Sequence, residues 1–470
     1  MTTAHVATTH STFSVERPYK TILALALPTV VAMVAQSVVN EIDVVFFAHL
    51  PNPEASNSQA ALFPSLILLW TFGGSLSAVS VGTQALTARR YAERNFEAAG
   101  AVLANAIWFT LVGGAVMSLL GLAALVPASR FISDNPAVQA TIRSYAGIRI
   151  CGVISMGMTM GIKAFFDGIG RTRVHLVASI VMNALNVLLC YALIFGHFGA
   201  PRLGAFGAGV AAFIATWVGL AVMIVYAAGT MRQYRWLRWS NISRALTWSI
   251  LKLSVPAGLA TVVMMGGFAL YSKVASSLDD AAAIAGSVSE AVNSAAMTDI
   301  VEILKLTFTA CIGFGTATAT LVGQSLGAKK PDEAVRYGWA SARLGFVLFG
   351  VIGLSEGVFF TPQIVHFLTH SPAVYAAAIV PMRMMGIATP VIAVAMILSE
   401  ALFGAGNPRF VAVTQFVLVF GCLVPGSYLL GVVAGKGLVG VWSAAVVYSV
   451  FAALAMSLKF RQGSWRHIKL

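Results

Sequence analysis

Apolar runs long enough to cross a lipid bilayer recur from one end of this 470-residue chain to the other, and no polar stretch between them is long enough to fold by itself. In hydrocarbon every backbone N–H and C=O needs a partner from the protein, which leaves membrane helices and closed barrels as the available structures. A helix crosses the hydrocarbon with about 20 residues, whereas a barrel strand takes about 10 of alternating polarity. The runs here are of the longer, unalternating kind. With 58% hydrophobic residues, 10% charged residues and a mean hydropathy of +0.83, the chain lies far from the roughly 25% charge of soluble domains. It reads as an all-α polytopic membrane protein with twelve transmembrane helices, at about 21–47, 60–88, 98–126, 140–165, 174–197, 204–228, 249–274, 297–325, 337–361, 375–403, 410–433 and 437–458.

The basic residues say how such a chain lies in the bilayer. With alternating helices, one side receives Arg17, Lys20, Arg89, Arg90, Arg94, Arg171, Arg173, the arginines of 229–248, Lys252, Lys329, Lys330, Arg336, Arg409 and the C-terminal Lys459, Arg461, Arg466 and Lys469. The other side receives Arg130, Arg202, Lys273 and Lys436. Loops rich in Lys and Arg stay in the cytoplasm, so both termini are expected there, as in a bacterial inner-membrane protein. The same distribution accounts for the net charge of +13 with no nucleic acid as partner. The N-terminal MTTAHVATTHSTFSVERPYK has no short apolar core followed by a cleavage site, so the first span is expected to be its own insertion signal. Cys151, Cys190, Cys311 and Cys422 are scattered singly, a pattern that points to neither a disulfide framework nor a zinc site.

Several stretches occur twice, in the same order. ALTARRYAERNFEAA (85–99) is matched by LVGQSLGAKKPDEAV (321–335), FDGIGRTR (166–173) by LFGAGNPR (402–409), LGAFGAGV (203–210) by KGLVGVWS (436–443), and LALP (25–28) by LSVP (253–256). Four matches in order mean duplication. Each half holds six helices and so has the same orientation, as in parallel transporter repeats. The expected organisation is a cytoplasmic tail (1–20), an N-lobe (21–228), a basic cytoplasmic connector (229–248), a C-lobe (249–458) and a second tail (459–470). One chain holds both lobes and is expected to work as a monomer, and two bundles flanking a cleft favour a transporter over an enzyme.

Polar groups inside the spans are the functional candidates. A charge at the bilayer centre costs about 2.5–3.5 kcal/mol on insertion scales, so an acid there faces a bundle interior or water. Gln36, Asn40 and Asp43 share one face of the first helix, and that stripe is expected to point into the N-lobe. Glu41 lies on another face with Ser37; headgroup exposure, a structural hydrogen bond and a coupling role all stay open for it. The fifth helix carries a stripe of Asn183, Asn186 and Cys190, for which plain interhelical hydrogen bonding is the alternative to a site. On the eighth, Asp299, Glu302 and Lys305 share a face: either the acids line the cleft and attract a cationic substrate, or Lys305 and Glu302 form an internal ion pair. Glu400 lies near Gly404 and Arg409, where capping, a salt bridge or substrate contact is possible, and Glu356 is expected at an interface. Met264 and Met265 adjoin Gly266 and Gly267, where the helix is expected to flex and an adaptable thioether can repack around varied ligands.

These motifs together resemble the multidrug and toxic compound extrusion (MATE) transporters, antiporters of twelve helices in two six-helix lobes. The likeness covers almost the whole chain: EIDVVFFAHL, GTQALTARRYAERNFEAA, VGQSLGAKKPDEA, FDGIGRTR and NVLLCYALIFGHFGAPRLGAFGAGVA. It implies export of organic, often cationic or amphipathic small molecules, driven by inward flow of protons or sodium. Asp43 takes the place of the family's first-helix aspartate, implicated in cation coupling. Members whose N-lobe binds a cation carry N-x-x-x-D where this chain has Asn186 to Cys190, and Thr216 falls one turn beyond their threonine. Sodium wants hard oxygen ligands, for which a thiol is a poor substitute, so the proton is the expected coupling ion and sodium the alternative. A glutamate that one branch carries on helix seven falls here on Met264, and its helix-ten aspartate falls near Ile392.

Two other readings remain. A lipid-linked saccharide flippase shares the two-lobe plan, but would favour fourteen helices or basic residues in the cleft. A Mg2+-dependent prenyl-transfer enzyme needs converging aspartates, and the one adjacent pair, Asp279 and Asp280, falls in an outer loop. Neither enzymatic activity nor a cofactor is expected.

Overall fold

The computed structural model describes residues 18–51, 54–132, 135–284, 292–369 and 371–468, which form helices and their connections with no strand among them. Each of the twelve expected spans is present as a helix or a bent pair of helices.

The first span is α1 (Pro18–Ala48). The second is broken: α2 (Glu54–Phe72) passes through a 3-10 turn, Gly74–Ala78, into α3 (Val79–Ala92), and the arms meet at 46°. After α4 (Phe96–Ile132), the fourth span is again a pair, α5 (Pro136–Cys151) and α6 (Val153–Gly168), bent by 42°. Hydropathy predicts continuous helices over both stretches, and glycine explains the difference. At the second bend, Gly152 N–H tightens to the carbonyl of Arg149, and a side chain there would crowd that carbonyl and Phe213. The N-lobe closes with α7 (Arg173–Phe195) and α8 (Gly204–Thr230).

The connector makes two short 3-10 turns before the C-lobe helices α9 (Arg244–Ile284), α10 (Val292–Gly327), α11 (Pro331–Leu354), a short α12 (Thr361–Leu368) and α13 (Pro372–Gly404). The eleventh span consists of α14 (Pro408–Leu418) and α15 (Val424–Tyr428) with π-helical turns Val419–Leu423 and Leu429–Val433, and α16 (Gly437–Gln462) is the twelfth. Pro28, Pro256, Pro381 and Pro390 lie inside continuous helices, tolerated because neighbouring helices re-satisfy the freed backbone groups. At the point in α9 expected to flex the helix is continuous through Gly266, and Gly267 is where it packs closely on Val419.

The duplication is visible in backbone geometry. In FDGIGRTR, Gly170 is left-handed (φ 79°) and Arg171 N–H returns to the carbonyl of Phe166; in LFGAGNPR, Gly406 (φ 84°) and the bond from Asn407 to Leu402 repeat the turn. Arg94 and Lys329, at φ 58° and 59°, end α3 and α10 alike. Such conformations cost a non-glycine residue about 1–2 kcal/mol, so their recurrence marks one ancestral loop.

Each lobe has its own apolar clusters. Far from the termini, Phe47, Leu50, Tyr145, Cys190 and Ile194 pack in the N-lobe, and Val274, Met297, Ile300, Met382 and Leu438 in the C-lobe. Helix α1 belongs to both lobes. Its first turns, with Ile22, Leu25 and Ala26, are buried against Cys311, Phe314 and Ala317 of α10, while its last turns join the N-lobe cluster.

At the face bearing the termini the lobes are clamped together. Gln84 Nε2 of α3 donates to the carbonyl of Thr316 (2.8 Å) and to Thr320 Oγ1 (2.9 Å), and that hydroxyl donates to the Asp167 carbonyl (2.8 Å). Arg89, at the end of α3, donates to the Ala405 carbonyl (3.0 Å) beyond α13; Gln324, one residue before the position in α10 that matches Arg89, donates to the Gly168 carbonyl (2.7 Å) at the end of α6. Each half therefore grips the loop that ends a helix of the other. Replacing Gln84 and Gln324 together by Ala is expected to cost about 0.5–1.5 kcal/mol per lost bond and to shift the lobes toward opening at this face. Thiol labelling of a cysteine placed at Thr316 reads that shift as faster modification; unchanged labelling counts against the clamp.

Candidate functional site

Three N-lobe helices converge on Asp43. The carboxylate lies near the end of α1 and is 7% exposed. Asn135 caps the start of α5 by accepting from Ala137 N–H (2.9 Å), with Pro136 in the first turn, and helical spacing then puts Tyr145 and Arg149 on one face. The Tyr145 hydroxyl donates to Asp43 Oδ2 (2.9 Å), and Arg149 Nη1 stands 3.8 Å from the same oxygen and donates to the Tyr145 hydroxyl. The guanidinium also lies over the Tyr145 ring, 5.3 Å from its centroid, while Phe47 meets that ring edge-on at 5.8 Å. From α7, the Cys190 thiol donates to Asp43 Oδ1 (3.6 Å), with Asn186 Oδ1 a second acceptor at 3.9 Å.

Asp43, Cys190 and Asn186 are thus brought together in line with the sequence pattern, and Asn183 is buried on the same stripe with both amide atoms lacking a protein partner among the described residues. Gln36 lies half-buried one face-length back along α1. The side chains of Asn40 and Glu41 lie outside the described residues. Thr216 does not reach Asp43. Its hydroxyl accepts from Ser155 of α6 (3.0 Å) and donates to the Phe213 carbonyl (2.9 Å), so it ties α8 to the bend at Gly152.

Sequence reasoning misses Tyr145 and Arg149. The signal is there nonetheless: an arginine inside an apolar span is as costly as an acid and implies a partner.

The C-lobe candidates do not form a comparable cluster. Lys305 and Glu302 make an ion pair (3.1 Å), each about half exposed, and Thr298 beside them is exposed. A polar, open face on an otherwise apolar helix suits water better than lipid, and of the two readings of this stripe the ion pair is the one formed. Asp299 has one buried oxygen without a partner among the described residues. Met264 is half-buried on α9. Glu356, half-buried at the π-helical turn Ser355–Phe359, accepts from Thr307 of α10 (3.4 Å). Glu400 makes no ion pair among the described residues, so of the alternatives for it the salt bridge is not formed; its stem packs on Gly315, where any side chain would collide with it. Across the lobe boundary, Lys163 and the buried Asp167 form an ion pair of 2.7 Å in α6. Asp279 caps α10, where its carboxylate accepts from the Asn293 and Ser294 amides (2.8 Å each). The Asp280 side chain lies outside the described residues.

The family model described as MatE matches residues 28–192 and 256–429, one stretch in each half of the chain. Among curated proteins, the probable multidrug resistance protein NorM of Thermotoga maritima is 22% identical over 455 residues, covering 95% of this chain and 93% of the relative. The probable multidrug resistance protein YoeA of Bacillus subtilis is 24% identical, with 94% and 92% covered. An outward-facing multidrug resistance MATE family transporter of the MOP superfamily has the same fold, with a TM-score of 0.84, 20% identity and 95% of each chain covered. A MOP superfamily transporter from Pyrococcus furiosus superposes with a TM-score of 0.85 at 20% identity, over 96% of this chain and 97% of the other.

Proposed function

Since this chain belongs to the MatE family, we propose that it exports organic, cationic or amphipathic small molecules across a cell membrane by alternating access, each export step coupled to entry of a proton carried by Asp43. The carrying observation is the buried Asp43 carboxylate held by Tyr145, Cys190 and Arg149 at the junction of three helices. With both termini in the cytoplasm of a bacterial-type inner membrane, the clamp at Gln84, Arg89 and Gln324 lies inside and the cleft opens outward. A proton arriving from outside neutralises Asp43, which no longer needs its charged and hydrogen-bonded partners. The end of α1 then loosens from α5 and α7. Arg149, freed of its counter-charge, repels a cationic substrate and favours its release outward. The membrane potential adds about 2.3 kcal/mol per 100 mV for each net positive charge carried inward, as when a neutral amphipath leaves in exchange for a proton.

Two features favour the proton over sodium. Cys190 offers sulfur where a sodium ion wants oxygen. Arg149 already stands 3.8 Å from the carboxylate, and a second cation at about 4 Å from it would meet a repulsion of about 4 kcal/mol at an effective dielectric of 20. Efflux from proteoliposomes under separately imposed gradients tests the reading: transport should follow a pH gradient without sodium. Transport that follows sodium alone sinks proton coupling while leaving export intact.

Arg149 supports a second reading, in which the guanidinium released by protonation holds an anionic group of the substrate. Anionic dyes transported in preference to cationic ones in the same assay would favour it.

A further inference from the structure

Outside the transport path, α4 and the start of α9 enclose a groove of about 970 Å³ that takes no part in the cycle described above. Its walls include Trp108 and Val112 of α4, Ile242 of the connector, and Arg244, Trp248 and Leu251 of α9. Trp248 is 68% exposed and Trp108 40%, a tryptophan pair of the kind that marks the headgroup level of a bilayer. The groove is held in shape from behind. Asn105 of α4 donates to the Asn241 carbonyl (2.7 Å) and accepts from Ser243 N–H (2.9 Å) and the Thr247 hydroxyl (3.0 Å), which pins the connector and the first turn of α9 to α4.

The connector that runs into the groove is basic. Arg235 and Arg238 share the single acid Glu97, at 3.7 and 3.4 Å. Arg244 is exposed and has no ion-pair partner among the described residues, and it stands at the N-terminal, electropositive end of α9. A planar guanidinium binds a phosphate through paired hydrogen bonds. Apolar walls below an unpaired arginine at the membrane surface match a molecule with an acyl chain and an anionic head, and basic pockets between helices are known lipid headgroup sites.

We propose that this groove binds an anionic phospholipid of the leaflet nearest the chain termini, with an acyl chain between Trp108 and Trp248 and the headgroup phosphate on Arg244. One wall belongs to the N-lobe and the other to the C-lobe, so the lipid bridges the two bodies that move in transport. A zwitterionic lipid fits the walls equally well but brings its own cation to the arginine, and binds less tightly.

Native mass spectrometry of the whole protein with phosphatidylglycerol or phosphatidylcholine tests this, paired with thermal unfolding in the same lipids and in inorganic phosphate alone. The wild type should retain phosphatidylglycerol about fivefold better, equivalent to about 1 kcal/mol for one arginine near the surface. Arg244→Gln should remove that preference, whereas Lys459→Gln, a cation elsewhere on the same face, should leave it. Trp248→Ala should lower retention of both lipids. If Arg244→Gln does not fold, Arg244→Lys should reduce the preference without abolishing it. Equal retention of the two lipids by the wild type, an Arg244 variant with the full preference, or protection by phosphate alone equal to that by the lipid would each overturn the proposal.

Discussion

Asp43→Asn is expected to abolish pH-driven accumulation of substrate in proteoliposomes while leaving the protein folded. The amide oxygen keeps the bond from Tyr145 and the NH2 faces the Cys190 sulfur, so α1 stays packed on α5 and α7 at the cost of leaving Arg149 without its counter-charge. What disappears is the group that gains and loses a proton. With one proton per substrate and no voltage, a gradient of one pH unit supports at most about tenfold accumulation, because about 1.4 kcal/mol is a factor of ten. The variant should show none of it, although downhill movement of substrate persists. Full gradient-dependent accumulation by Asp43→Asn would place the proton elsewhere, with Glu356 and Glu400 the acids to examine next.

Arg149→Gln should be clearly destabilising. Removing one partner of a buried ion pair typically costs about 3–5 kcal/mol, because a charge is left uncompensated in a poor solvent. Here the loss falls toward the lower end, since Asp43 can escape by taking a proton. That escape has a functional signature: Asp43 stays protonated and transport no longer responds to pH. The double variant Asp43→Asn, Arg149→Gln removes both charges and should recover most of the stability lost by Arg149→Gln alone, a coupling that thermal unfolding of the four proteins measures. Additive losses would show that the two side chains are neighbours without being an ionic lock. The Arg149 variants also separate the readings of substrate charge, because only a substrate with an anionic group needs the guanidinium for binding.

The N-lobe site is half legible in the sequence. The faces of α1 and α7 follow from helical spacing, so the stripes holding Asp43, Asn183, Asn186 and Cys190 can be drawn from sequence alone, and Cys190 does touch Asp43. Thr216 cannot be placed in this way. The bend at Gly152 and the packing of α8 direct its hydroxyl to Ser155, and a bend caused by one missing side chain is weakly encoded in an apolar run. Glu400 is similar: proximity in sequence suggests Arg409, but no ion pair forms between them, and what the stem packs on is Gly315 of α10, a contact between helices.

Hydropathy and the placement of basic residues are properties of the linear chain, and lipid admits few backbone structures. The sequence by itself therefore determined that the protein is helical, that it spans a membrane twelve times and that its halves are duplicates. Tertiary structure alone decided which charges meet. Tyr145 and Cys190 are separated from Asp43 by 102 and 147 residues, and no periodicity within one helix reports on a partner from another. The guanidinium beside the carboxylate, the reciprocal clamp of the lobes and the groove under Arg244 all arise where separate helices pack. In hydrocarbon, side chains of that kind are tolerable only because the partner helix supplies what water would otherwise provide.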